Sequence, residues 1–81
     1  MPRYFFNTDD GHPFHDESGT ELATDEAARL EATLLFAQLL AEQPEAVWRD
    51  QLFRVTVTNS AGLTLFVLDL AAIAAPALRP T

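Results

Sequence analysis

Residues 24–44 read TDEAARLEATLLFAQLLAEQP, and this stretch decides the fold. Thr24 is a good helix N-cap, because a hydroxyl there can accept a bond from a free backbone N–H of the first turn. Asp25 and Glu26 follow in that first turn, where the helix dipole favours acids. Asp25 and Arg29 stand four apart and are placed to pair. The spacing predicts a helix to about Gln43, stopped by Pro44, with one further turn over Glu45 to Trp48. Placed at 100° per residue, Ala27, Leu30, Leu34, Ala37 and Ala41 form one apolar face. Ala28, Ala32, Leu35 and Leu39 form a second, and Phe36 and Leu40 lie beyond them. The polar stripe is narrow: Glu31, Gln38 and Glu42, with Thr33 apart from it. A helix resting on a sheet in a monomer needs one apolar stripe, so the extra apolar face calls for a cover. Two covers within reach are the C-terminal segment Leu70 to Leu78 and a second copy of the chain; a different protein is the third. The residues expected at such an interface are Leu35, Phe36, Leu39, Leu40 and Trp48. Trp48 also suits packing at the corner after the helix, while aromatics are enriched at binding hot spots.

The flanking segments read as strands. Arg3 to Thr8 begins with Tyr4, Phe5 and Phe6 and is aromatic on both faces. Asp9-Asp10-Gly11 supplies turn chemistry. A short second strand is expected over Pro13 to His15, at an edge because Pro13 donates no bond. Asp16 to Gly19 is a tight turn. Leu52 to Thr58 alternates, with Phe53, Val55 and Val57 on one face. Asn59 to Gly62 is a turn, Leu63 to Leu70 a last strand, and its loop fits three or four residues. The expected class is α+β: a small antiparallel sheet of three to four strands with one long helix on one face, in β-β-α-β-β order. The first strand can pair with the third or the last. Residues 1–70 form the expected domain, and 71–81 an Ala- and Pro-rich tail.

The chain has 81 residues, 12 acids, 5 basic residues and no Cys. That is one small domain with a marginal core. Without Cys, it has no disulfide, no thiol nucleophile and no cysteine-held zinc or cluster, so a partner subunit is the leading stabiliser. A formal net charge of −7, with the arginines scattered, argues against nucleic acid and anionic membranes. No signal peptide or membrane span is legible, and a cytoplasmic protein is the default expectation. From Asp9 to Glu26 the chain carries acids and no base. This makes Asp9, Asp10, Asp16, Glu17 and Glu21 a candidate surface for a basic partner, as in antitoxins or nucleic-acid mimics.

Chemistry-bearing patterns are weak. His12 and His15, beside Asp16 and Glu17, are possible metal ligands, but on a strand they would point to opposite faces. The acidic string lacks the alternation and the position-twelve Glu of a calcium loop. Carboxylate pairs such as Asp16 with Glu21 lack evidence of burial, and Ser18 and Ser60 are turn residues. No catalytic, cofactor or metal residue is assigned. The leading expectation is a non-enzymatic interaction protein, working as a homodimer or with a protein partner. Its alternatives are the acidic regulator and a metal-binding protein using the His12/His15 loop.

The opening Met1 to Phe6 reads M-P-R-Y-F-F. Asp10-Gly11 follows, then D-x-x-G-x-E-L at Asp16, Gly19, Glu21 and Leu22. The helix carries A-A-R-x-E-A at Ala27, Ala28, Arg29, Glu31 and Ala32, and Ala61-Gly62 joins the last strands. In these motifs the chain resembles a family of short bacterial proteins classed as a domain of unknown function. The resemblance implies a small α+β domain and supplies no activity or cofactor. His12, His15 and the tail after Leu70 lie outside its pattern. Physically, Asp16 and Gly19 make the turn, and Glu21 can pair with Arg3 or Arg29.

Overall fold

A computed structural model describes residues 2–50 and 52–77. The elements are β1 (Arg3–Asp9), β2 (Thr20–Glu21), α1 (Asp25–Glu42), α2 (Pro44–Asp50), β3 (Phe53–Thr58) and β4 (Thr64–Leu70). The four strands form one antiparallel sheet in the order β2-β1-β3-β4. The expected class and element order hold, and β1 takes β3 rather than β4 as its neighbour.

Period-2 alternation sets the core face of the sheet. Tyr4 and Phe6 from β1 are buried, together with Phe53, Val55 and Val57 from β3. Opposite them on α1 stand Ala28 and Ala32, buried almost completely. Two alanines one turn apart let the helix backbone approach the sheet closely. Leu35, Phe36 and Leu39 lie on the same arc and fill the space around them. The rings of Phe36 and Phe53 meet edge to face with centroids 5.2 Å apart. Each fully buried Val or Phe contributes about 1.5–3 kcal/mol. These side chains therefore carry much of the stability of a small domain.

The helix begins as its cap implies: Thr24 accepts a bond from the Ala27 N–H at 3.0 Å. The expected Asp25–Arg29 pair is replaced by two long-range contacts. Asp25 accepts the Tyr4 hydroxyl at 2.6 Å, tying the helix start to β1. The Arg29 guanidinium instead lies over the Phe66 ring of β4, 5.9 Å from its centroid. Pro44 ends α1 and also starts α2. Its fixed φ suits the first helical position, and its missing N–H is no loss there. The second helix is thus two turns long.

Acceptance of the phenol proton by Asp25, with lesser help from burial, holds Tyr4 above its ordinary value of 10.0. Because Tyr4 is the one tyrosine of the chain, alkaline titration followed at 295 nm reads it alone. The midpoint is expected above 10, and to fall towards 10 in Asp25→Ala. Equal midpoints in the two proteins would show that the bond is not formed in solution.

The expected strand over Pro13 to His15 shrinks to a single bridge, in which Phe14 and Thr8 exchange backbone bonds of 2.7 and 3.0 Å. The second strand is Thr20–Glu21, paired with Tyr4 and Arg3. Pro13 lacks a donor, and two residues are too few for an alternation signal. The last hairpin turns through Asn59, whose side chain accepts from the N–H groups of Ala61 and Leu63 at 3.0 Å each. Ala72 of the C-terminal segment enters the core, while Ile73 is 81% exposed. Leu78, the last residue of the segment expected to cover the helix, lies outside the described residues, as does the remainder of the tail.

Candidate functional site

The D-x-x-G turn organises one edge of the sheet. One oxygen of Asp16 accepts from the backbone N–H groups of Ser18 (3.2 Å) and Gly19 (3.1 Å), and the other accepts from Phe6 of β1 (3.1 Å). The Asp16 N–H donates to the Asn7 side chain at 2.9 Å. A carboxylate thus stands where a neighbouring strand would be, between the β2 pairing and the Phe14 bridge. Burial pushes the Asp16 carboxyl up, but the three N–H donors, helped by nearby His15, outweigh it and hold the group below its ordinary value of 3.8. Gly19 is required there: its φ is +72°, and a Cβ would stand 2.8 Å from Arg3 and 2.9 Å from the Phe5 ring.

The other acids of the candidate partner surface are dispersed. Glu21 pairs with Arg3 at 2.9 Å, and Arg3 also donates to the Ser18 carbonyl. Asp9 and Asp10 accept from the backbone of Gly11 and His12 within their own turn. Glu17 is exposed on the turn. His12 lies 4.0 Å from Asp10, whereas His15 borders a different hollow with Phe5 and Asp16. Among the described residues no three His, Cys, Asp or Glu side chains gather as a metal group. Across the open face of the sheet, Arg54 of β3 pairs with Asp69 of β4 at 2.8 Å. Their mutual hydrogen bond raises the Arg54 value and lowers that of Asp69. Asp50 Oδ2 is buried without a hydrogen bond, with Arg49 3.4 Å away.

Apolar surface is the more distinctive feature. Leu35, Phe36, Leu39 and Leu40, expected at an interface, are partly buried against the core of their own chain. The face left outward is the other one: Leu30 is 63% and Leu34 66% exposed. Ala37 and Ala41 on the same stripe are exposed as well. Angular placement alone had shown both faces; what the sequence lacked was the choice between them.

Trp48 is 59% exposed, so it is not corner packing. Together with Leu40, Pro44, Val47, Ala72 and Ile73 it lines a shallow groove of about 510 Å³. Small-molecule pockets place a few polar groups to fix orientation. This groove has no polar side chain in its wall, which suits contact with another apolar protein surface.

A family model described as a domain of unknown function, DUF6894, matches residues 3–71. The chain belongs to this family. The match runs from the start of β1 to one residue past β4, so it includes the sheet, both helices and the Asp16 turn. Searches of curated proteins and of solved structures returned no match. No helix among the described residues is long and apolar enough to cross a membrane.

Proposed function

We propose that this member of the family is a non-enzymatic interaction protein, working as a homodimer or bound to another protein. The observation that carries the reading is the outward stripe of α1. Two leucines one turn apart, each about two-thirds exposed, stand between alanines on a helix whose opposite face already fills the core. Single exposed apolar residues are ordinary on a surface, but a continuous stripe with further apolar surface at Trp48 and Ile73 marks a contact region. The apolar wall of the groove supports the same reading.

The test pairs a measured mass with a partner screen, on wild type and on Leu30→Glu/Leu34→Glu. Both leucines are exposed, so the fold is expected to tolerate the change, with stability altered by about 0.5 kcal/mol per site. Wild type is expected to self-associate or to retain a defined protein partner, and the variant to lose whichever of these contacts is made through the stripe. A one-chain mass at high micromolar concentration, with no partner retained, would overturn the proposal.

A further inference from the structure

The two edges of the sheet are treated differently. The outer edge of β1 is occupied along its length. β2 pairs with Arg3 and Tyr4, Leu22 donates to the Pro2 carbonyl, Asp16 takes the Phe6 N–H, and Phe14 pairs with Thr8. β4 pairs with β3 alone and has no further strand beside it among the described residues. It is seven residues long, TLFVLDL, without Lys or Pro. Its one charge, Asp69, is held by Arg54 of the same chain. The irregularity in its pairing is a bulge near its start, where Leu65 is the extra residue between the Thr64–Thr58 and Phe66–Val57 pairs, and Phe66 to Leu70 are regular. Natural edge strands are guarded by lysine, proline, bulges or a covering segment. This one has a single bulge at Leu65 near its start, and from Phe66 to Leu70, among the described residues, it has none of these guards.

We infer that the outer edge of β4 is a self-association site, where β4 of a second copy adds antiparallel and joins the two sheets into one of eight strands. The inference rests on the reading of this chain as an associating protein and names the surface that meets its copy. Three features favour a second copy over another extended segment. First, β4 is self-complementary about Val67. Phe66 falls opposite the partner's Leu68 on the helix side, and Asp69 falls beside the bulged start of the second strand at the partner's Leu65, so the two acids never face each other. Second, α1 lies over β3 and β4. With strands about 4.8 Å apart, the two α1 axes come about 10 Å apart, at the upper end of helix packing distances. Third, a groove of about 250 Å³ runs along this edge between α1 and β4, bordered by Arg29, Thr33, Phe66 and Val67. The neighbouring α1 can fill it. The shared flank is about 23 Å long, so the contact belongs with the smaller specific interfaces.

The experiment measures mass by light scattering across concentration and amide hydrogen exchange by NMR, on wild type and two variants. Wild type is expected to reach twice the chain mass, with every amide from Thr64 to Leu70 protected. An open edge would leave alternate amides unprotected. Val67→Lys sets like charges opposite each other at the dyad and is expected to raise the dimer dissociation constant about tenfold or more. It should also return the alternating pattern, with the circular dichroism spectrum unchanged. Leu34→Glu, on the outer stripe of α1, is expected to leave the dimer intact. A dimer with alternating β4 exchange that is broken by Leu34→Glu overturns the edge and leaves association through the helix. A one-chain mass throughout overturns the self-contact, while the stripe can still pass its own partner screen. A one-chain mass with β4 protected only when a different extended protein is added assigns the edge to that partner and likewise overturns the self-contact.

Discussion

Replacing Asp16 by alanine is expected to lower the unfolding free energy by about 2–4 kcal/mol, measured by urea denaturation at pH 7. The carboxylate accepts from three backbone N–H groups, those of Phe6, Ser18 and Gly19. Alanine leaves all three without that acceptor at once. The Phe6 donor belongs to a strand with a buried side chain, so water replaces the lost bond poorly. Asn is expected to recover part of the loss. Its oxygen can serve the Ser18 and Gly19 turn, but its amide then meets the Phe6 N–H donor to donor. The same group predicts an acid limb in the stability profile. Its folded value lies below the ordinary 3.8. An unfolded chain therefore binds the proton more readily than the folded one. The contribution is complete above the unfolded value and is lost as pH falls from about 5 through 3.8 to the lower folded value. Wild type should lose stability over that window, and Asp16→Ala should show a shallower slope. Equal slopes in the two proteins would mean that other carboxylates govern the acid transition.

Phe53→Ala is expected to cost about 3–5 kcal/mol. In a domain whose stability is of order 5–15 kcal/mol, such a loss leaves a large unfolded fraction on mild heating. Phe53 is almost fully buried, starts β3, and its ring meets that of Phe36 on α1 edge to face. Truncation opens a cavity where the helix, the central strand and the Leu70 end of β4 meet. Phe53→Leu keeps most of the volume and should cost less than half as much. Thermal unfolding followed by circular dichroism separates the two. If Phe53→Leu melts like wild type, the ring contact adds little beyond apolar volume; if both variants melt alike, restored apolar volume is not what the site needs.

Local chemistry was legible wherever neighbours in sequence decide the outcome. Thr24 caps the helix, Pro44 ends it, Phe53, Val55 and Val57 alternate into the core, and Asp16 with Gly19 makes the turn. The pairing of Glu21 with Arg3 was among the options that residue types alone allow. Less legible were contacts whose partners lie far apart along the chain. Asp25 is one turn from Arg29, yet it accepts from Tyr4, 21 residues away. Arg29 rests over Phe66 instead. Thr20 and Glu21 carry no strand signal of their own, and pair because β1 offers an edge beside them.

The opening stretch shows the same division. Composition and periodicity of residues 24–44 determined that a helix forms and that it is apolar over more than one face. Which face the sheet takes was decided only in the folded chain. Ala28 and Ala32 admit the close approach of the sheet, and the larger Leu35, Phe36 and Leu39 fill the gaps beside them, so Leu30 and Leu34 turn outward. The edge of β4, open among the described residues, has the same origin. Each strand is encoded locally, but which strand is left without a neighbour depends on the order β2-β1-β3-β4. That order follows from burial and backbone pairing summed over the whole sheet, and no single segment contains that sum.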